Sequence, residues 1–275
     1  MIWPTAASHP ATATDALFRL PDSSLRRGNG WLVHVTGDRP DYYFGNHLVS
    51  QWAPHEAAFD RQVLEQVWQQ HLSRQPGIQK KIFQWEVAAG QAQAAAEAAA
   101  RAFGITTEAV DVDRVLVARR EMMVVPRRAG TVEPVCSPQE FQHLVMAAHE
   151  DIGLDFAAGA RDDFLVWQYD QFERANDAGQ STWWITRDPE GQVCAQCGIA
   201  AGEGVGRYRE VLTRPAWRRQ GYASLLVARA GQRTLEAGLC ERLVIVAAAD
   251  SSAERIYRRA GFQVQTVQMS VRLDP

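Results

Sequence analysis

Apolar residues recur at three- and four-residue steps through Phe59, Val63, Leu64, Val67, Trp68 and Leu72, which predicts an amphipathic helix over residues 55–74, ended by Gly77. Around it, Trp31–Val35 and Tyr42–Val49 read as strands joined by a turn at Gly37–Pro40, and Ile82–Val87 as a third strand. Alanine dominates Gln91–Phe103, a strong helix former stopped by Gly104, and Ile105–Val117 then alternates as a long strand. The first 25 or so residues carry no periodicity and read as a loose lead-in, and Pro126–Gly130 reads as a linker. Beyond it the pattern predicts helices at Pro138–Ile152, with Ser137 as N-cap, and Asp162–Ala178. Strands follow at Thr182–Thr186, Val193–Ala201 and Arg207–Thr213, the first two forming a hairpin across Pro189–Gln192. The chain closes with a helix at Gly221–Ala237, a strand at Leu243–Ala248, a helix at Ser252–Arg259 and a strand at Phe262–Leu273.

The two halves repeat one order of elements. Ala-Arg-Ala-Phe-Gly104-Ile before a long strand parallels Arg-Arg-Ala-Gly261-Phe before another, which reads as an internal repeat offset by roughly half the chain. The same order of strands and helices is also common in α/β proteins generally, so both readings stand. With 275 residues, 46% hydrophobic and 22% charged, the chain is excluded from the disordered, collagen-like and low-complexity classes. A formal charge of −3 argues against a nucleic-acid or anionic-membrane binder. No signal peptide or transmembrane run is evident, so the expectation is a soluble cytoplasmic protein. Cys194 and Cys197 have metal-ligand spacing, but on a strand positions three apart face opposite ways, so they read as reduced core cysteines. The seven histidines, 9, 34, 47, 55, 71, 143 and 149, form no ligand motif, and no metal is expected.

Chemistry concentrates after the strand that carries Glu210. There a short loop, Arg218-Arg-Gln-Gly221-Tyr-Ala223-Ser224, opens a helix. Small residues at 221 and 223 let a ligand approach the backbone, and first-turn N–H groups with the helix dipole suit a pyrophosphate. Downstream stands Asp250-x-x-Ala253-x-x-x-Tyr257-x-x-x-Gly261-Phe262. Together these motifs, over about residues 132–273, resemble the GNAT superfamily of acyl-coenzyme A-dependent N-acyltransferases. The resemblance departs at Asp250, where the family usually has asparagine. Residues 1–125 resemble a degenerate copy, as in tandem family members. Their corresponding loop, Ser50–Glu56, lacks the motif, and Ala100 aligns with Tyr257. The implied fold is α/β (α+β): two GNAT-like halves, 1–125 and 131–275, each a mixed, mostly antiparallel central sheet flanked by helices.

The resemblance implies an N-acetyltransferase in which acetyl-coenzyme A, or another short acyl-coenzyme A, is attacked directly by a primary amine in a ternary complex. It implies cofactor contacts from Val211, Leu212, Thr213, Arg218, Arg219, Gln220, Gly221, Tyr222, Ala223, Ser224, Asp250 and Ala253. Tyr257 becomes the candidate general acid, set against a tyrosine merely packed inward. Glu210 becomes the candidate base, set against a solvated strand carboxylate. The acidic run Glu150, Asp151, Asp155, Asp162 and Asp163 would suit a cationic acceptor, although helix capping and an acidic loop are the preferred reading. A small-molecule amine is the expected partner, with neither nucleic acid nor membrane, in a monomer or homodimer. Two other readings compete: an inactive acyl-coenzyme A sensor or scaffold, and a dinucleotide enzyme, the latter disfavoured by the missing Gly-x-Gly-x-x-Gly.

Overall fold

The structure, a computed structural model, describes residues 5, 8–73, 77–78, 80–149 and 160–274. In chain order the helices are α1 (Pro10–Thr14), α2 (Arg61–His71), α3 (Ala92–Phe103), α4 (Pro138–His149), α5 (Ala160–Asp177), α6 (Tyr222–Glu236) and α7 (Ser252–Arg259). The strands are β1 (Ser24–Gly28), β2 (Trp31–Val35), β3 (Leu48–Ser50), β4 (Lys81–Ala88), β5 (Val110–Arg119), β6 (Thr131–Pro134), β7 (Ser181–Arg187), β8 (Val193–Gly202), β9 (Val205–Thr213), β10 (Arg242–Ala248) and β11 (Gln263–Leu273). The chain divides into two compact units. The first holds the chain up to Val117, Val246–Glu254 and everything from Val264; the second holds Ala118–Ile245 and Arg255–Gln263.

In the first unit the strands run in the order β1-β2-β3-β4-β11-β5. The sequence reading keeps 131–275 together, yet β11 lies here, with Thr266–Leu273 pairing antiparallel to Ala88–Lys81. Its Val267, Met269 and Val271 share one core with Phe83, Trp85, Trp68 and Phe103. The alanine run explains itself in that core: Ala95, Ala96 and Ala99 are buried, so small side chains bring α3 close to the sheet.

The lead-in is not loose. Ala11 and Thr12 donate backbone N–H groups to the buried Glu86 carboxylate at 3.3 and 2.7 Å, and Gln84 donates to Asp15 at 2.8 Å. A carboxylate on β4 therefore caps α1 from 75 positions away, which no local pattern reveals. A second departure is Tyr42–Val49, predicted as one strand: Tyr43–Gly45 is a 3-10 turn and only Leu48–Ser50 is strand. Asn46 explains the turn, since its amide donates to the Arg39 and Tyr42 carbonyls at 2.7 and 3.0 Å.

This unit also carries an acid-sensitive pair. His34 and His47 stack at 4.4 Å between centroids, and both are buried. Burial lowers both pKa values, with Arg27 and His47 adding to the effect on His34, and His47 falls to about 4. The unfolded chain takes up these protons near the ordinary histidine value of about 6.5, whereas the folded chain refuses them until lower pH. Stability is therefore full above about pH 6.5 and declines toward pH 4, by roughly 3 kcal/mol for His47 alone. Thermal unfolding at pH 7 and pH 5 should give a clearly lower midpoint at pH 5. That drop should shrink in His47→Leu, and an unchanged slope would overturn the assignment.

The second unit orders its strands β10-β9-β8-β7-β6, antiparallel from β9 through β6 and parallel between β10 and β9. α5 stacks Phe172 on Trp183 at 4.7 Å, which puts Trp183 in the core, and Trp184 is buried too. α6 packs so closely on β9 that a Cβ at Gly231 would meet the Tyr208 hydroxyl at 2.2 Å. The cysteines at 194 and 197 are buried, free thiols on β8.

Candidate active site

β8 and β9 keep register except at one step. Gln196 faces Leu212 and Gly198 faces Arg209, so Glu210 and Val211 together oppose the single residue Cys197. This is a β-bulge, and it interrupts the ladder where Val211, Leu212 and Thr213 were expected to offer N–H groups. Glu210 sits in the left-handed region at φ +48°, a conformation that costs a non-glycine residue about 1 kcal/mol or more. Strain of this kind persists where the surroundings fix it, commonly at functional sites. The Glu210 side chain is exposed to solvent at the bulge, with protein packed around it. That crowding raises its pKa, against the opposing Arg209 charge.

Past the bulge, Pro215–Trp217 forms a 3-10 turn, Arg219 takes φ +60° and Gly221 takes φ +87° as the residue before α6. No side chain caps α6, and its ladder starts only with Leu225 donating to the Gly221 carbonyl at 3.1 Å. The N–H groups of Tyr222, Ala223 and Ser224 consequently have no acceptor within the helix. Arg218, Arg219, Gln220 and Gly221 are exposed around this helix start. Arg218 donates Nε to the Thr213 carbonyl at 3.1 Å, and Gln220 donates to the Ala216 carbonyl at 2.9 Å, so both side chains brace the loop. The result is an open, positive cradle that fits a pyrophosphate. In the first unit α2 begins differently: Asp60 accepts from the Gln62 and Val63 N–H groups at 2.8 and 3.2 Å, so a carboxylate already fills that helix start.

Tyr257 on α7 is buried, but its hydroxyl makes no hydrogen bond among the described residues. Burial and the nearby Cys197 thiol raise its pKa, so it stays a protonated donor at neutral pH. Cys197 is the residue opposite the bulge, which brings the phenol and the bulge into one neighbourhood. Asp250 and Ala253 cluster with the first unit instead. Asp250 has φ +61° and donates its N–H to Glu254 at 2.7 Å, while Ser251 accepts from the Glu254 N–H at 3.1 Å. The start of α7 is thus held by Ser251 and Glu254, and Asp250 contributes its backbone to that arrangement.

The family model of the GNAT acetyltransferase domain matches residues 179–264, which contain β7 to α7, the bulge, the cradle and Tyr257. Residues 179–264 therefore carry a GNAT acetyltransferase domain. The fold of the chain is similar to that of a functionally unknown conserved protein from Staphylococcus epidermidis, at 11% identity and TM-score 0.66, over 92% of this chain and 94% of that one. It is similar to a GCN5-related N-acetyltransferase from Kribbella flavida, at 18% identity and TM-score 0.61, over 92% and 90%. A tandem GNAT protein from the clavulanic acid biosynthesis pathway aligns at 12% identity and TM-score 0.55, over 98% of this chain and 90% of that one. A search of curated protein sequences finds no match.

The motifs mark the bulged strand but not its neighbours. Tyr169 on α5 is buried, bonds the Gln196 amide, and feels the Glu210 charge, which adds to burial in raising its pKa. Tyr and Gln at these positions carry no motif, so only the packing of α5 could reveal them. Of the acidic run, Asp162 and Asp163 lie exposed in the first turn of α5, where they favour the helix dipole. Glu150, Asp151 and Asp155 lie outside the described residues. Trp217 donates its indole N–H to Asp188 at 3.0 Å and stacks under Arg214, 4.7 Å from ring centroid to guanidinium carbon. No helix among the described residues is long and apolar enough to cross a membrane, and no group of three or more candidate ligands that could hold a metal occurs among them.

Proposed function

We propose that the second unit transfers an acetyl or short acyl group from acyl-coenzyme A to a primary amine by direct attack in a ternary complex. The observation that carries the reading is the uncapped start of α6 behind Gly221, beside a bulged strand and a free phenol. The cradle of N–H groups and exposed arginines takes the pyrophosphate. N–H groups freed at the bulge polarise the thioester carbonyl and pair with the pantetheine arm. Glu210, directly or through water, accepts the proton that the amine must lose, and its raised pKa brings it toward the range where a base works near neutrality. Tyr257 donates its proton to the departing thiolate, and a pKa above the usual phenol value keeps that proton in place beforehand. Asp250 and Ala253 are proposed as cofactor contacts on sequence pattern alone. The acceptor in this reading is a small-molecule amine, favoured by a solvent-accessible carboxylate at the bulge.

The first unit is the non-binding partner in this reading, because Asp60 occupies the helix start that a phosphate would need. Calorimetric titration of acetyl-coenzyme A into the full chain tests both statements together. One site per chain is expected, lost in Gly221→Glu, where a carboxylate would enter an anion cradle at a φ of +87°. At least a hundredfold loss of affinity is expected, from charge repulsion and backbone strain combined. Two sites would overturn the assignment of the first unit. No binding by the parent protein would overturn the acyltransferase reading, and binding without transfer to any amine would favour a sensor.

A further inference from the structure

We propose that Arg128, from the segment joining β5 and β6, is an additional cationic contact for the coenzyme A pyrophosphate at α6. The inference rests on the acyl-coenzyme A reading above and adds a residue that neither motif contains. The guanidinium carbon of Arg128 lies 3.9 Å from the centroid of the Tyr222 ring. Its Cδ lies 3.4 Å from where a Cβ on Gly221 would stand. The arginine therefore covers the first residue of α6 and the glycine before it. Its Nε is enclosed without a hydrogen-bond partner, and no ion pair or hydrogen bond engages the guanidinium among the described residues.

That arrangement is electrostatically incomplete by itself. The start of a 15-residue helix without a capping side chain already carries positive potential, and a cation placed over it is repelled. Asp188, which shares with Arg128 an influence on Cys194, is committed to the Trp217 indole and the Gln192 N–H at 3.0 and 2.7 Å. A diphosphate bound at the cradle would satisfy both positive groups at once. Arginine suits the task, because its planar fork can stack on Tyr222 and still present N–H groups to phosphate oxygens.

The arginine is also held in place beforehand. Val124 donates its N–H to the Ala260 carbonyl at 3.0 Å, and Arg128 donates its N–H to Pro126 at 3.0 Å. Gly130 passes so close to the Arg187 carbonyl that a Cβ there would stand 2.8 Å away. By contrast Arg218 and Arg219 are exposed, and Arg218 is partly spent on Thr213. Less side-chain entropy remains to be lost when Arg128 meets its anion.

The test compares the parent protein with Arg128→Gln and Arg128→Lys, titrated with coenzyme A and with 3′-dephospho-coenzyme A, and measures the unfolding midpoint without ligand. The expected result is at least tenfold weaker binding of both ligands by Arg128→Gln, as for one lost charge-assisted hydrogen bond. Partial recovery is expected in Arg128→Lys, with an unfolding midpoint no lower than that of the parent. Equal affinities in parent and variant would overturn the inference while leaving the acyl-coenzyme A site intact. A deficit confined to coenzyme A would assign Arg128 to the 3′-phosphate and overturn the pyrophosphate contact. A lowered midpoint with unchanged affinity would make Arg128 a packing residue on Tyr222. Failure of the parent protein to bind either ligand would remove the acyl-coenzyme A reading and this inference with it.

Discussion

Tyr257→Phe should retain acetyl-coenzyme A binding and lose about a hundredfold or more of acyl transfer, the range typical for removing a general acid. The substitution is clean for a structural reason. The ring is buried beside Phe262, 6.5 Å between centroids, whereas the hydroxyl bonds to nothing among the described residues. Phenylalanine keeps the packing and breaks no hydrogen bond, so the unfolding midpoint should hold. The measurements are the rate with an amine acceptor at saturating acetyl-coenzyme A and, separately, the affinity by titration. The loss should lie in kcat, with affinity within about twofold, because the proton is needed only as the thiolate develops. Replacing acetyl-coenzyme A by a thioester whose thiol leaves as a weaker base should narrow the gap between parent and variant. A variant as fast as the parent would return Tyr257 to the role of a packed side chain.

The pH profile should follow Glu210 and not the phenol. Its pKa is raised by the protein packed around it, so activity should climb with pH through a value above that of an ordinary glutamate. Tyr257, raised above the usual phenol value, should cause no fall on the alkaline side before pH 10. The sign for stability runs the other way. A carboxyl with a raised folded pKa favours the folded state at low pH and loses that contribution as pH climbs through its value. The same crowding that would suit Glu210 to the proposed role of base therefore costs the fold something at neutral pH.

How much of this was legible in the sequence depends on the distance over which each feature is specified. Helices α3, α6 and α7 follow from local pattern and punctuation: Gly104 does close α3, in the left-handed conformation at φ +68°. The cradle at Gly221 and the phenol at Tyr257 are equally local, since spacing along one loop and one helix fixes them. The features that escaped are set by partners far away in sequence. α1 is capped by Glu86, 75 positions on, and β11 pairs with β4 across a separation of more than 170 residues. Alternation along β11 predicts a strand but says nothing about which sheet receives it. The bulge at Glu210 is intermediate: the pattern predicts its strand, yet an extra residue leaves no mark in the sequence of β9, because it exists only relative to Cys197 on β8.

Gly261→Ala should be among the most destabilising single-methyl changes available to the second unit. Gly261 closes α7 at φ +101°, where any side chain is strained by about 1–2 kcal/mol. A Cβ there would also stand 1.8 Å from the Met122 carbonyl oxygen, a backbone atom with no rotamer through which to escape. One of the two segments must move, and the Val124 N–H bond to Ala260, one residue away, must break or stretch. Strain plus that bond places the expected loss at about 3 kcal/mol or more. Gly238→Ala is the control: its φ of +69° carries comparable backbone strain, but nothing lies within 4 Å of the new methyl. Chemical denaturation of the two variants against the parent should therefore separate the clash from the strain, with Gly238→Ala losing only about 1 kcal/mol. The displaced segment also carries Arg128, so Gly261→Ala should weaken coenzyme A binding by an amount similar to Arg128→Gln, although position 261 is remote in sequence from the cradle. Equal losses of stability in the two glycine variants would show that the Met122 contact relaxes freely and that the joining segment is not pinned to α7.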